Sequence, residues 1–463
     1  MTAATRRQQT KQGHGADIPQ PFPLSAAFPP AYHERSRELL ETALSHVLAY
    51  AAWRCHDPGA RCHVDQRFAA LPALTKRQIR EHFPHGLLPP GVDLQRALQA
   101  GEVEYVNTSG TTEERVTNMW CQAWWNASER ASWQLNSHAA RCATGTHREA
   151  ILSSPICVGV RSDNGPLPVH QRVVGRFLFL NEVADPAEWT PQLLDRMVAE
   201  INVYEPAVLE ANPALLAKLA RHIVRHGRVV RQPGLIVLTY EFPSAIHLRQ
   251  IRRAFSAPIA SSYGSTEAGY VFMECEHGRF HQNVEFCRVD FQPFNEQHGG
   301  PQIGRILIST FGHPWCVLVR FDPGDLVRLD DRGPCPCGRT EGLTVSAIEG
   351  RIINLTLTPD GIAVTQQHVD AALLAVEDIV EYRLDQLGPA DYALRIVAED
   401  GNPAAVANAA ADALRGLYGP RATVTVECVP YLAPEPSGKH RLARAHFPVN
   451  AEQFLNARFA RVT

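Results

Sequence analysis

Residues Leu193–Tyr240 read LLDRMVAEINVYEPAVLEANPALLAKLARHIVRHGRVVRQPGLIVLTY. Two helical runs, LLDRMVAEINVY and ALLAKLARHIVRHG, carry apolar residues at three and four spacing. Each leads into a short strand-like run, AVLEA and then GLIVLTY. Alternation of this kind predicts an α/β core with mostly parallel strands.

Working outward, EYVNTSGTT reads as strand then loop, and WNASERASWQLNSHAARCA as an amphipathic helix. From Pro29 to Leu98 the pattern is helical, with Thr75 a candidate N-cap for LTKRQIREHF. Between Gly264 and Thr344 the texture turns β-rich: VEFCRVDF, GRILIST, WCVLVRF and DLVRL are separated by Gly, Pro and Asp turns. A third texture begins after Glu349-Gly350-Arg351. IINLTL, QQHVDAALLAV, IVEYRLDQ, YALRIVAE, PAAVANAAADALRGLYG and ATVTVECV give the order β-α-β-β-α-β, which suits a split-βαβ sandwich of about 100 residues. The expected division is a disordered tail over 1–20, a large unit over 21–348 and a small mobile unit over 349–463.

The chain has 463 residues, too many for one ordinary domain of about 150 residues. Hydrophobic residues are 45% and charged residues 20%, a globular balance that excludes a disordered chain. The net charge of −3 gives no basic field for a nucleic acid. No stretch reaches about 18 uninterrupted apolar residues, so no membrane span is expected. The start MTAATRRQQTKQGHG lacks the apolar region of a secretory signal, so the chain is expected in the cytoplasm. Eleven cysteines in that reducing setting point to free or metal-bound thiols.

Four segments can carry chemistry. Thr108-Ser109-Gly110-Thr111-Thr112 could wrap N–H and O–H donors around phosphate oxygens, or form a plain polar turn. Ser262-Tyr263-Gly264-Ser265-Thr266-Glu267 ends the run APIASS, where α/β sheets put ligands. There Tyr263 offers a face for a base, Gly264 a close backbone approach, Thr266 a phosphate donor and Glu267 a Mg²⁺ ligand. Asp325 comes after a Pro-Gly turn and could hold vicinal ribose hydroxyls; the same turn needs no function. Lys439, in Ser437-Gly438-Lys439, is one of four lysines among 45 basic residues. A compact mobile ammonium does what a guanidinium cannot.

Cys275-Glu276-His277-Gly278-Arg279-Phe280-His281 and Cys335-Pro336-Cys337 supply three thiols and a histidine for a closed, structural Cys₃His zinc site. Unliganded core cysteines are the alternative. Trp120, Trp124, Trp125 and Trp133 fall broadly on one helical face, for the core or for an aryl pocket wall. Tyr240-Glu241-Phe242 is the other candidate lining.

Taken in order, LPALTKRQI, YVNTSGTT, SSYGSTEAG, VRFDPGDLVRL, EGR and SGKHR resemble the adenylate-forming ligases, within them the phenylacetate–CoA ligase-like branch, over roughly residues 70–445. The resemblance implies a large adenylate-forming α/β domain with mixed sheets and a small C-terminal α+β domain of split-βαβ type. It implies ATP-dependent adenylation of an aromatic or related carboxylic acid, with pyrophosphate released and the acyl group passed to coenzyme A. Ser109 to Thr112 would form the phosphate loop, Tyr263 would stack near adenine, Thr108, Ser262 and Gly264 would belong to the same nucleotide site, and Thr266 would contact phosphate. Glu267 would bind Mg²⁺, Asp325 the ribose, Arg351 the nucleotide, and Lys439 would bridge carboxylate and phosphate. Tyr240, Glu241 and Trp124 would line the acid. The histidine slot of the branch favours His281 over His277 as the zinc ligand beside Cys275, Cys335 and Cys337. A small-molecule acid is the expected partner, and homodimers are common in that branch.

Two departures stand out. Glu113-Glu114-Arg115 replace the family's Gly-Lys after Thr112, and Ile352-Ile353-Asn354 replace acidic hinge residues. They leave open two other readings. One is adenylation with a different acceptor, such as an amine, a carrier protein, or nitrite for aryl-amine diazotisation. The other is a non-catalytic nucleotide-binding descendant.

Overall fold

The computed structural model describes residues 19–108, 115–142, 144–162, 165–399 and 402–460. Thr190 accepts a hydrogen bond from the Leu193 N–H ahead of Pro191, and helix Pro191–Tyr204 starts there. Asn212 does the same for Ala214 and Leu215, and Pro213 opens helix Pro213–Arg225. Both starts use a side-chain cap and a proline at the first position, where no backbone donor is lost. Leu194, Met197 and Ile201 of the first helix and Leu215, Leu216, Leu219 and Ile223 of the second are buried in one cluster with Leu152, Leu209 and Ile236. Each fully buried aliphatic side chain contributes about 1.5–3 kcal/mol, which holds the helices on the strands.

The strands of the large sheet are β1 (Glu149–Leu152), β2 (Val173–Val174), β3 (Phe177–Phe179), β4 (Val208–Ala211), β5 (Leu235–Leu238), β6 (Ile259–Ser265), β7 (Gly269–Glu274), β8 (Phe280–Gln282), β9 (Cys287–Pro293), β10 (Ile303–Thr310), β11 (Asp325–Leu329) and β12 (Thr344–Arg351). Their spatial order is β9-β10-β11-β12-β8-β7-β6-β5-β4-β1-β3-β2. Strands β3, β1, β4, β5 and β6 run parallel, while β6 pairs β7 antiparallel, as do all pairs from there to β9. Strand β6 is therefore where a parallel half meets an antiparallel half.

Helices Pro30–His46, Val64–Ala70, Lys76–His82 and Leu94–Ala100, with the 3₁₀ stretch Leu48–His56 and the loop residue Leu74, pack Leu40, Tyr50, Trp53, Phe68 and Leu74 around residues 315–321. That segment, WCVLVRF, is not the regular strand its apolar run suggested. It is buried on all sides, so its polar backbone is satisfied piecemeal: Val319 N–H donates to Tyr50 Oη at 2.9 Å and Arg320 N–H to Ser309 Oγ at 2.8 Å.

The small domain has a four-stranded sheet, β13 (Ile379–Gln386), β14 (Asp391–Ala398), β15 (Thr423–Cys428) and β16 (Ala443–Ala445), in the order β15-β14-β13-β16. Helices Gln366–Leu374 and Pro403–Tyr418 cover it. IINLTL does not join this sheet. Ile352–Asn354 is a 3₁₀ turn, and Thr356–Leu357 pairs with Ala363–Val364 in a separate hairpin. The fourth place goes to β16, parallel to β13. The change of sheet comes after Arg351, since β12 carries Glu349 to its end. The last residues do not stay with the small domain either, because Leu455 bridges to Phe294 beside the large sheet. Among the described residues no helix is long and apolar enough to cross a membrane.

Candidate active site and metal centre

Three strand ends converge on one carboxylate. Tyr263, near the end of β6, donates its hydroxyl to Asp325 Oδ2 at 2.7 Å, and Arg351 Nε lies 3.3 Å from Asp325 Oδ1. Burial and the Asp325 charge push the Tyr263 phenol well above its ordinary range, so it stays a donor. The same carboxylate raises the Arg351 guanidinium, which stays charged.

The turn between β6 and β7 carries Thr266 and Glu267 and is shaped by backbone contact. A Cβ on Gly264 would lie 2.4 Å from Gly269 O, so only glycine fits. Glu267 is buried. Burial, with the Glu267 charge adding to it, pushes the nearby Cys316 thiol up to about 12. Ser262 Oγ is buried without a hydrogen-bond partner among the described residues.

From the small domain, the Glu435–His440 loop reaches into this region. Gly438, at φ +77°, presses on Ser154, where a Cβ would meet Oγ at 2.3 Å. The Cys157 thiol donates to Ser437 O at 3.3 Å, and the His440 N–H donates to Glu241 Oε1 at 2.8 Å. Burial lowers the Lys439 pKa, as does the positive charge of Arg351, while the charges of Cys157, Glu241 and Asp325 oppose the shift. Tyr263, Asp325, Arg351, Glu241 and Lys439 are thus brought together although they span nearly 200 residues of chain.

The other expected residues take separate places. Thr108 is buried and accepts from the Val116 N–H at 3.1 Å; Ser109 to Glu114 lie outside the described residues. Trp124 sits in the core cluster, its Nε1 donating to Phe311 O at 3.0 Å and its ring under Gly269. Tyr240, at φ +74°, donates its hydroxyl to Glu210.

Behind Tyr240 lies a polar group that no sequence motif marks. Glu129, Glu149 and Glu210 come from three segments; Tyr270 Oη donates to Glu129 at 2.8 Å, and Arg176 pairs with Glu149. Burial, and then the Glu149 and Glu129 charges, raise Glu210 well above the usual carboxylate range. The one signal in the sequence is a charged residue inside the otherwise apolar strands EAIL and VLEA.

On the far side of β7, the ligand atoms of Cys275, His281, Cys335 and Cys337 all lie within 4.8 Å of one another. Cys275 Sγ is 3.7 Å from Cys335 Sγ, and Cys337 Sγ is 3.3 Å from His281 Nε2. Burial takes His281 down to about 4, leaving the imidazole neutral and able to donate a lone pair. Its Nδ1 faces Thr344 Oγ1 at 3.4 Å. His277 stays outside the group, with its N–H on Cys275 Sγ. The donor set and closeness fit a soft tetrahedral ion.

No protein-family model matches the chain. Protein CapK of Staphylococcus aureus is 21% identical over 253 residues, 53% of this chain and 54% of that protein, so the match spans about half of the curated relative. A 2-hydroxyisobutyryl-CoA ligase structure in its postadenylation state, with R3-HIB-AMP, superposes with a TM-score of 0.65 at 16% identity, covering 90% of each chain. Its open conformation, at 15% identity over 92% of this chain and 93% of that one, gives 0.55. Its thioesterification state, at 17% identity over 91% and 92%, gives 0.52. The fold of this chain, a large mixed-sheet domain with a smaller C-terminal domain, is that of the adenylate-forming ligases.

Proposed function

We propose that the protein is an ATP-dependent acid ligase that joins a carboxylic acid to AMP with release of pyrophosphate, then hands the acyl group to an acceptor. The observation that carries this reading is the docking of the Glu435–His440 loop, which carries Lys439, on the large domain: Ser437 O accepts from the Cys157 thiol, and the His440 N–H donates to Glu241 Oε1 at 2.8 Å, so that Lys439 feels the charges of Arg351, Asp325 and Glu241. A carboxylate attacking the α-phosphorus brings two anions together, and the bond to pyrophosphate breaks as the new P–O bond forms. Lys439 would neutralise both anions at that point. Tyr263 would lie against adenine, with Ser262 and Gly264 along its edge, Asp325 would take the ribose hydroxyls and Arg351 would fix Asp325. Thr108 to Thr112 and Thr266 would donate to the phosphates. The chemistry required of the protein is positioning and charge neutralisation.

Glu267, a buried hard oxygen donor, would hold Mg²⁺, which supplies further neutralisation of the phosphates. Cys275, His281, Cys335 and Cys337 would hold a structural Zn²⁺ that joins the segment after β7 to the turn before β12.

The acid is proposed to be aromatic or related and to lie against Tyr240 and Glu241. Trp124 would act on this pocket only through Gly269, against which it packs. Coenzyme A is the proposed acceptor. Transfer to an amine, a carrier protein or nitrite is the second reading, favoured by the Ile352-Ile353-Asn354 linker. A pyrophosphate-release screen across aryl acids tests the first step, and repeating it with coenzyme A, amines and nitrite, with products weighed by mass spectrometry, tests the second. No release with any acid from folded, zinc-loaded protein would sink the proposal.

A further inference from the structure

A second cluster of metal-ligating side chains lies where helix Pro30–His46 meets helix Val64–Ala70. His33 sits in the first turn of the former, His63 is the residue before the latter, and Asp65 is the second residue of that helix. One ring nitrogen of each histidine and one carboxylate oxygen of Asp65 lie within 4.8 Å of one another. None of the three belongs to the Cys275, His281, Cys335 and Cys337 group or to the proposed nucleotide contacts.

Histidine is an unusual helix cap, since that position favours Ser, Thr, Asp or Asn. Here His63 Nδ1 accepts from the Asp65 N–H at 3.4 Å, and Gln66 Oε1 accepts from the His63 N–H at 3.2 Å. An accepting Nδ1 carries no proton, and it stands 3.2 Å from Asp65 Oδ2. Two lone pairs thus face each other, an arrangement that a shared cation stabilises. Donors about 2.0–2.1 Å from a tetrahedral ion stand about 3.3 Å apart, so the spacing suits one. A proton on Nδ1 would also bridge the pair, but it would cost the helix its cap and leave His33 unexplained. His33 Nδ1 is buried without a hydrogen-bond partner among the described residues. The ring is held edge-on by Phe28 at 6.1 Å and Tyr32 at 5.7 Å, and it meets the His63 ring at 5.4 Å.

Asp65 is aimed by Arg288, whose Nη1 donates to Oδ1 at 2.8 Å. The guanidinium is itself fixed, by Asp290 at 2.7 Å and by the Phe68 ring at 4.1 Å. Metal-bound carboxylates are commonly oriented by such outer hydrogen bonds. All three candidate ligands line a cavity of about 460 Å³, with Phe22, Phe28 and Arg288. The His63 side chain is 61% exposed, so the cluster is open to solvent.

We infer that His33, His63 and Asp65 form a second, exchangeable site for a divalent transition ion such as Zn²⁺ or Ni²⁺, with water from the cavity completing its shell. Two imidazoles and a carboxylate are donors that such ions take, and three protein ligands leave a position open, unlike the closed thiolate group. The ion ties the first turn of helix Pro30–His46 to the cap of helix Val64–Ala70. Being open and exposed, the site releases its ion on dialysis, whereas the thiolate group keeps its own. The inference stands apart from the ligase reading, since none of these residues takes part in it.

Calorimetric titration of the full chain with Co²⁺ tests this, counting ions above whatever metal the dialysed protein retains. One further ion per chain is expected, with a visible cobalt spectrum free of thiolate charge transfer and a Tm that rises as the ion binds. His33→Ala and Asp65→Asn should each weaken binding at least about tenfold. His63→Ser supplies a preferred cap while removing the imidazole. It should fold at least as stably as the parent in metal-free buffer, yet lose both the ion and the rise in Tm. The inference is overturned if no further ion binds, if the added cobalt shows thiolate charge transfer alone, or if His33→Ala and His63→Ser bind it as the parent does.

Discussion

Asp325 and Arg351 are cross-strand partners: β11 opens with the aspartate directly opposite the arginine that closes β12, and Arg351 Nε stands 3.3 Å from Asp325 Oδ1. Tyr263 holds the other oxygen from β6. A carboxylate gripped from two sides is fixed in direction, which suits the proposed contact with ribose, and the arginine doing the gripping is the last residue before the small domain.

Removing that grip should show in nucleotide affinity. Arg351→Ala leaves a buried carboxylate with the Tyr263 hydroxyl alone, and ATP binding with Mg²⁺ is expected to weaken about tenfold, about 1.4 kcal/mol. Tyr263→Phe should cost less, because Arg351 remains. Calorimetry gives both values. Unchanged affinity in the arginine variant would detach this pair from the nucleotide.

Lys439 predicts an alkaline limb at unusually low pH. Burial, reinforced by Arg351, lowers its pKa, so the ammonium is lost as pH rises through a value below the ordinary lysine range of about 10.4. Adenylation needs the charged form and should fall along that limb. Lys439→Arg should be slow but keep its residual rate flat across the same window, since a guanidinium does not titrate there. Pyrophosphate release from pH 6 to 10 measures it. A limb that survives in the arginine variant belongs to another group.

Gly264 tests the turn that carries Thr266 and Glu267. A methyl group at this position meets the carbonyl of Gly269, which is backbone and cannot swing away. Gly264→Ala should therefore cost about 1–3 kcal/mol, in the range of overpacked sites, and should depress adenylation by moving Glu267. Denaturant titration beside the release assay shows whether both effects appear together.

Much of this was legible because it is local. Helix–strand alternation across Leu193–Tyr240 points to β4 and β5, and Thr75 caps helix Lys76–His82 as its place in LTKRQIREHF suggests. The motif at Ser262–Glu267 falls at the end of the last parallel strand, the place in the sheet that its sequence context gives it. What stayed hidden depends on distant partners. WCVLVRF has a strand's composition, yet Tyr50 and Ser309 side chains, remote in sequence, take its N–H groups. The polar group behind Tyr240 draws Glu129, Glu149, Arg176, Glu210 and Tyr270 from five segments, so no spacing announces it. The seating of the last residues on the large sheet is hidden in the same way, since Leu455 pairs with Phe294, far away in sequence.

The proposed zinc site predicts about one zinc per chain, the full occupancy of a closed site. Cys335→Ser removes a sulfur that lies 3.7 Å from Cys275 Sγ and should lower both zinc content and Tm. His277→Ala should leave the metal in place, because that side chain is outside the four-residue group. Elemental analysis beside a thermal melt distinguishes the variants. Stoichiometric zinc in the Cys335 variant would show that the ligands are wrongly chosen.

Glu210 allows a prediction in which pH acts on stability. Its folded pKa is raised by burial first and then by the Glu149 and Glu129 charges, while the Tyr240 hydroxyl and Arg176 oppose the rise. An unfolded glutamate ionises near about 4.3. Below that pH the group is protonated in both states and has no pH-dependent cost. As pH rises from there toward the folded pKa, the unfolded chain releases a proton that the folded chain keeps, so stability falls. Glutamine copies the protonated carboxyl and does not titrate. Glu210→Gln should therefore match the parent Tm near pH 4 and exceed it at pH 8, with the gap opening between. Glu210→Ala should lower Tm at both pH values, because it leaves the Tyr240 hydroxyl unpaired in a buried site. A glutamine variant less stable than the parent at pH 8 would mean that Glu210 is charged in the fold and held by a cation.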